Sequence, residues 1–263
     1  MTTAPDAILA AAAADLDQGL AQAALAKLEG HHEDPDALLL ISEALLALGE
    51  VDSAHQSFAS AAMHLDDSDP DVIWIRAELA LADWELERAA RDYQSHIAAV
   101  PSSLGFMRLA LVHDAMDQGS LADAKELQAR ALDPHLPPLQ RLRQEEFEAI
   151  IQSGLEQLRV RYPAEADQVK VIHARMPTPE LSGERPQATP PDLLGLYVAQ
   201  GPDALVESAP HETSPTIYLF QRNLERMGLD RAGLEEEIRK TLFHEFGYLL
   251  GLDEDGIAAA GLA

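Results

Sequence analysis

Apolar residues recur every three or four positions through much of the first half of the chain. Residues with that spacing lie on one face of an α-helix, so the pattern predicts a series of short amphipathic helices. After a proline-rich break the spacing returns and predicts one long helix. Its apolar face carries Phe147, Ile150, Ile151, Leu155 and Leu158. The pattern therefore predicts a mostly helical chain.

The predicted helices of the first half contain an internal repeat. Small and aromatic residues recur at intervals of 35 residues: Gly49, Ala54 and Phe58; Trp84, Ala89 and Tyr93; Gly119, Ala124 and Gln128, which stands where an aromatic residue is expected. With Pro70 and Pro101 near the ends of the units, the pattern resembles the tetratricopeptide repeat. It predicts stacked helical hairpins, preceded by one more hairpin from Ala7 to Leu28.

A stack of helical hairpins exposes a long concave face, because each hairpin buries its apolar side only against its neighbours. We expect this face to bind a peptide or a helix of a protein partner. The alternative is that the helical array only covers and stabilises the C-terminal domain.

The segment from Asp133 to Pro138 breaks the helical pattern and predicts a boundary between two domains, residues 1–135 and residues 136–263. The second domain is predicted to contain the long helix, three short strands and two further helices. The predicted strands are Val169–His173, Leu193–Val198 and Thr216–Phe220, and Asn223–Met227 is predicted to be a short helix. The predicted fold class is mostly α with a small α+β C-terminal domain.

The chain is strongly acidic, with 45 Asp and Glu against 19 Lys and Arg and a net charge of −26. Residues 1–135 alone hold 24 acids and 7 bases. Such acidity disfavours nucleic acids and anionic membranes as partners. Since the chain has no cysteine, disulfides and thiolate metal sites are excluded. The start lacks the basic residues of a signal peptide and no apolar run reaches roughly 18 residues, so we expect a cytoplasmic protein.

The clearest chemical signal is the segment His244-Glu245-Phe246-Gly247-Tyr248. It has the spacing of the helical zinc motif H-E-x-x-H, with Tyr248 in the place of the second histidine. In that motif two histidines four residues apart bind one zinc ion, and the glutamate accepts a proton from the metal-bound water. A phenol, with an ordinary pKa of about 10, is a poor zinc ligand near pH 7.

The residues around this segment predict the helix that the motif requires. Asp230 is placed to cap its start, and Gly251 to end it in a left-handed conformation. An apolar stripe suited to burial runs along it: Leu234, Ile238, Leu242, Phe246 and Leu249. The turn that follows brings three acids into reach of His244 as candidates for a third ligand: Asp253, Glu254 and Asp255.

From about Phe147 to its end, the chain resembles the small bacterial zincin-like metallopeptidases, also called minimal zincins. Their pattern H-E-x-x-H-x-x-G-x-x-D, usually preceded by Thr-Leu, matches Thr241–Glu245 and Gly251, and its acidic position falls on Glu254. Two upstream segments also match, Pro191–Tyr197 and Thr216–Glu225. The resemblance implies zinc ligands at His244 and Glu254, a general base at Glu245, and a peptide substrate.

Tyr248 leaves the activity of this site open. The interpretation we favour is weak or lost zinc peptidase activity, with the protein acting through partner binding by the helical array. The alternative is an active zinc peptidase that uses His244, Glu254 and Glu245. A third possibility is that the tyrosine replaces the metal by hydrogen bonding to His244 and Glu245. Two histidines elsewhere in the domain are candidates for a replacement ligand: His173 and His211.

Overall fold

The structure, a computed structural model, describes residues 6–182, 189–199 and 214–263. The chain divides into two compact units. The first comprises Met1–Asp133 with Ser182–Pro191, and the second comprises Pro134–Leu181 with Asp192–Ala263.

The first unit is built from four helical hairpins. Its helices are α1 (Asp6–Asp17), α2 (Ala21–Leu28), α3 (Pro35–Ala47), α4 (Val51–Ala62), α5 (Pro70–Ala82), α6 (Leu86–Ala99), α7 (Ser103–Ala115) and α8 (Gly119–Leu132). The two helices of each successive pair pack against each other. The additional hairpin predicted from Ala7 to Leu28 is therefore confirmed as α1 and α2.

Each hairpin turns through one residue with a left-handed backbone, five positions before a fully buried alanine. The turn residues are Gly19, Gly49, Trp84 and Asp117, with φ of 73°, 76°, 60° and 57°. The alanines are Ala24, Ala54, Ala89 and Ala122, all with 0 % exposure. A small buried side chain lets the paired helices approach closely. The four hairpins thus share a left-handed turn residue that is followed five positions later by a buried alanine.

The predicted register of the third unit is wrong by two residues. Ala124 and Gln128 are exposed, whereas Ala122 and Glu126 are fully buried. The buried alanine of each second helix is its fourth residue, and α8 begins two residues earlier than a 35-residue period from the start of α6 would place it. Glu126 therefore takes the place expected for an aromatic residue. The identity of these hairpins as tetratricopeptide repeats stays a prediction.

Aspartates cap the start of α3 and of α5, the first helices of the second and third hairpins. The Asp34 carboxylate accepts hydrogen bonds from the backbone N–H groups of Asp36 and Ala37, at 2.9 and 3.1 Å. The Asp69 carboxylate accepts one from Asp71 N–H at 2.9 Å. In both cases proline follows as the first helical residue, where it has no intrahelical hydrogen bond to lose. These caps fix the start of α3 and α5.

The second unit contains the predicted small sheet. Its elements are α9 (Gln144–Arg161), α10 (Pro163–Ala166), β1 (Lys170–Ala174), β2 (Gly195–Val198), β3 (Thr216–Phe220), α11 (Gln221–Arg226), α12 (Arg231–Leu249) and α13 (Glu254–Ala260), with a short 3-10 helix at Pro179–Ser182. The predicted fold class, mostly α with an α+β C-terminal part, is confirmed. None of the described helices is long and apolar enough to cross a membrane.

The sheet has the order β1-β3-β2, with β1 parallel and β2 antiparallel to the central strand. All five residues of β3 are buried, as expected for a strand paired on both sides. The long helix α12 packs on β2, on β3 and on α9. The core between them contains Phe147, Leu155, Leu219, Leu242 and Phe246. The strand β2 is thus an edge strand lying directly against α12.

Candidate active site

The helix α12 carries the motif and begins and ends as predicted. The Asp230 carboxylate accepts a hydrogen bond from Gly233 N–H at 2.8 Å and caps the helix. The helix ends at Leu249, and Gly251 has the left-handed φ of 76°. A terminal glycine in this conformation turns the chain back without the steric cost of a β-carbon.

Burial of one side of α12 decides which motif residues remain accessible. Leu234, Ile238, Leu242 and Phe246 have 0–1 % exposure and form the buried face. His244 lies outside that stripe, and its side chain is 32 % exposed. The apolar periodicity of the helix therefore presents the motif histidine at the protein surface.

Two glycines allow other elements to lie close to the motif. A β-carbon on Gly195 of β2 would lie 2.7 Å from Thr241 Cγ2 and 3.0 Å from Glu245 Cγ. A β-carbon on Gly247 would lie 2.5 Å from Ile257 Cγ1 of α13. Since real β-carbons do not approach other atoms so closely, both positions require glycine for the observed packing.

Glu245, the predicted general base, is buried against the edge strand. Its Oε2 accepts a hydrogen bond from Tyr197 N–H at 2.8 Å, and the residue is 9 % exposed. Burial is the largest cause that raises the pKa of Glu245, and Glu254 adds to it, while the Tyr197 N–H and His244 act in the opposite direction. The carboxylate therefore has a structural partner at the edge of the sheet.

His244, Tyr248 and Glu254 form one hydrogen-bonded group at the surface. The Tyr248 hydroxyl donates to Glu254 Oε1 in a short contact and lies 3.2 Å from His244 Nε2. His244 Nε2 is also 3.6 Å from Glu254 Oε1. The two rings meet edge to face, with centroids 5.0 Å apart. The phenol thus contacts both predicted zinc ligands.

The proton positions in this group follow from its donor count. A phenol has one proton, and here it is donated to Glu254, so the tyrosine oxygen can only accept from His244. His244 Nε2 therefore carries a proton and donates to the tyrosine oxygen. The hydrogen bond to Glu254 is the largest cause that raises the pKa of Tyr248 to about 12, with burial and the charge of Glu254 next. The phenol stays neutral over the physiological range of pH.

The structure distinguishes the three acids that follow the motif. Asp253 caps α13 by accepting from Gly256 N–H at 2.9 Å, which leaves Glu254 as the acid that contacts the tyrosine and the histidine. The sequence reasoning missed α13. Its signal was present, because Asp253 followed by two acids is typical of the start of a helix.

A comparison with protein families relates part of the second unit to a known family. Residues 166–262 match the family described as zincin-like metallopeptidase. The matched residues include all three strands, α11, the motif helix α12 and α13. No curated protein and no solved structure matches the chain significantly. The resemblance predicted from the motif and its upstream segments is confirmed for this part of the chain.

The zincin-like family implies zinc, and the side chains present do not supply a zinc site. Catalytic zinc takes three protein ligands and keeps one position open. Here the group contains one imidazole, one carboxylate and a neutral phenol hydrogen-bonded to both. No group of three or more histidine, cysteine, aspartate or glutamate side chains that could hold a metal occurs among the described residues. The donor set therefore does not fit zinc.

The other predicted replacement ligands do not complete the set. His173 stacks on Phe147 with ring centroids 4.6 Å apart, and its Nε2 lies 2.6 Å from Gln221 Oε1. Its Nδ1 faces Glu148 at 3.7 Å. His173 is therefore engaged at the β1 edge of the sheet, whereas the motif helix packs on β2 and β3. His211 lies outside the described residues.

The third possibility from the sequence, a tyrosine in place of the metal, needs one correction. Tyr248 contacts His244 as expected, but its second partner is Glu254 and not Glu245. The reason is geometric, because Glu245 lies next to β2 and its carboxylate is hydrogen-bonded to the backbone of that strand.

A cavity of about 390 Å³ lies beside the motif in the zincin-like region. His244 and Glu245 both line it, together with Thr241, Lys240 and Leu194. The cavity brings the predicted ligand and the predicted base to one surface. It is the part of the site that could admit a substrate.

Proposed function

We propose that the zincin-like region is a degenerate metallopeptidase domain with weak or lost zinc peptidase activity, and that the protein acts by binding a partner through its helical array. The single observation that carries the first half is the contact of the Tyr248 hydroxyl with both His244 and Glu254. These are the two side chains that an active site would need as zinc ligands.

The chemistry of the phenol supports this proposal. A tyrosine whose pKa is raised to about 12 does not ionise near pH 7, and a neutral phenol donates its proton to Glu254. Two protein ligands in place of three weaken zinc binding by orders of magnitude, since loss of even an outer-shell hydrogen bond costs about 10–100-fold. Zinc would have to break the tyrosine hydrogen bonds before it could contact the histidine and the carboxylate.

The environment of Glu245 also supports the proposal of a degenerate metallopeptidase site. The carboxylate is buried and accepts a hydrogen bond from the edge strand, so it has a structural role that requires no metal. A packing role for Glu245 explains why the glutamate of the H-E-x-x-H motif is present beside a tyrosine that does not complete the motif.

The alternative is an active zinc-dependent peptidase with His244 and Glu254 as ligands and Glu245 as base. The observation in its favour is the 390 Å³ cavity, because both His244 and Glu245 line it. Under this alternative the purified protein holds zinc without any change in its sequence.

Metal analysis of the purified protein and of the Tyr248→His variant separates the two functions. We expect the unaltered protein to hold far less than one zinc per chain after dialysis against micromolar zinc, and Tyr248→His to approach one. Tyr248→Phe is the matched control, since it removes the hydroxyl without adding a ligand. His244→Ala in the Tyr248→His background should remove the gained zinc.

Stoichiometric zinc in the unaltered protein, lost on His244→Ala, would establish the alternative and refute the degenerate site. Failure of Tyr248→His to gain zinc would also count against the proposal, because the position would then not be the missing ligand. A peptidase assay on casein, with and without added zinc, reports whether metal binding and activity change together.

A further inference from the structure

The first unit contains a groove that the sequence did not identify. It is formed by the first helices of three successive hairpins, α1, α3 and α5, and has a volume of about 420 Å³. Its apolar wall includes Leu39, Leu40 and Trp74. The Trp74 ring packs edge-on against Tyr93 and at a tilt against His96, with ring centroids 5.5 and 5.0 Å away. The groove is thus a fixed apolar surface within the helical array.

Carboxylates are the charged groups on this groove. Asp36, Glu43 and Asp71 line it, and its lining among the described residues includes no lysine or arginine. None of these three carboxylates has a hydrogen-bond or ion-pair partner among the described residues. The groove therefore presents three carboxylates that no described side chain pairs with at contact distance.

Two arginines of the unit, Arg76 and Arg108, are paired with carboxylates that do not line the groove. Arg108 makes a two-point contact with Glu78, with Nε and Nη2 at 2.9 and 2.6 Å from its two oxygens. Arg76 makes a similar contact with Asp92 at 3.0 and 3.1 Å. Such bidentate pairs hold their geometry firmly. The hydrogen bonds of these two arginines are therefore directed to carboxylates outside the groove lining.

Glu43 is the carboxylate with the most to gain from a cation. Burial is the first cause that raises its pKa to about 7, the charges of Glu78, Asp17 and Asp71 add to it, and the charge of Arg108 acts in the opposite direction. A partly buried acid without a partner is costly to ionise, and a lysine or arginine placed against it recovers that cost. The long aliphatic part of such a side chain packs on an apolar wall while its charged end stays polar.

We propose that this groove binds a segment of another protein in which lysine or arginine stands among apolar side chains, with the cation on Glu43. The proposal rests on the partner-binding half of the proposed function and names the chemistry of that partner. Charge complementarity selects the occupant, because the groove combines an apolar wall with three carboxylates. An acidic segment or a nucleic acid would meet the same carboxylates and be repelled.

A display library of random ten-residue peptides, selected on the full-length protein, tests this proposal. We expect the recovered peptides to be enriched in lysine or arginine flanked by leucine or other apolar residues. The Glu43→Gln and Asp71→Asn double variant should bind these peptides about 10–100-fold more weakly, the usual loss for a charge-assisted hydrogen bond. The control is Glu33→Gln with Glu50→Gln, which removes the same charge from exposed positions outside the groove.

Each outcome of the selection decides something. Recovery of neutral or acidic peptides would overturn the groove chemistry while leaving partner binding intact. Equal weakening by the control variant would show that overall charge, and not the groove, attracts cationic peptides. If no peptide is enriched over bare support, the groove proposal fails. Zinc binding at the motif is measured separately, so the two halves of the proposed function are tested independently.

Discussion

Replacing Glu43 by glutamine should stabilise the first unit, although it removes a native side chain from the wall of a groove. Glu43 lies on α3, and burial together with the neighbouring acids raises its pKa from 4.5 to about 7. An acid whose pKa is higher in the folded state binds more protons when folded. Stability therefore falls as pH rises from 4.5 through about 7, where the folded protein must ionise a partly buried carboxylate.

The size of this effect follows from the pKa values. One pKa unit corresponds to about 1.36 kcal/mol, so the change from 4.5 to about 7 gives an upper value of roughly 3 kcal/mol at high pH. Glutamine keeps the shape of the Glu43 side chain without its charge. Because burial of the amide also costs free energy, the expected gain is smaller than the upper value. We expect Glu43→Gln to raise the free energy of unfolding by about 1–3 kcal/mol at pH 8.5, and by much less at pH 4.5.

Urea unfolding of both proteins at several pH values measures the difference directly. Glu33→Gln removes the same charge from an exposed position in the same unit. At each pH it should have nearly the same free energy of unfolding as the unaltered protein. Because burial is the largest cause of the raised pKa, 0.5 M NaCl should preserve most of the effect. A difference that is independent of pH, or a loss of stability at pH 8.5, would refute the reasoning.

Two further changes test the packing and the backbone conformation within each unit. Gly195→Ala should lower the free energy of unfolding by about 1–3 kcal/mol, since its β-carbon would lie 2.7 Å from Thr241 Cγ2; a neutral result in urea unfolding would mean that β2 shifts freely. Gly49→Ala should lower the free energy of unfolding by about 1 kcal/mol, because alanine is strained at the left-handed φ of 76° while open space surrounds the position. A larger loss in thermal unfolding would show that backbone strain is not the only cause.

The sequence predicted the elements whose signals are local. The cap at Asp230, the apolar stripe of α12 and the glycine that ends it are all readable within a few residues, and all three are confirmed. The strand Thr216–Phe220 was also predicted with its observed bounds, because a run of buried β-branched and aromatic residues is a local signal. Local signals therefore sufficed for the fold class and the motif helix.

What the sequence could not supply depends on contacts between distant residues. The partner of Glu245 is a backbone N–H 48 positions away in β2, which no side-chain pattern reveals. The groove likewise combines residues from three helices, and its charge depends on the carboxylates that these helices bring together. The register error in α8 has a different origin, because Gly119 was aligned with Gly49 and Trp84, whereas the residue with the left-handed turn backbone is Asp117, two positions earlier.

The zincin-like region separates the residues that build its scaffold from those that would bind metal. Glu245, Gly195 and Leu242 hold the helix, the edge strand and the core together. His244, Tyr248 and Glu254 lie at the surface, with side chains in contact with one another. Changing a surface side chain costs little stability, so the ligand position can be lost while the fold persists. The Tyr248 hydroxyl contacts both the histidine and the carboxylate that the resemblance implies as zinc ligands. A zincin-like fold in this chain is therefore compatible with loss of its chemistry, and the metal content of the unaltered protein and of Tyr248→His tests whether that loss has occurred.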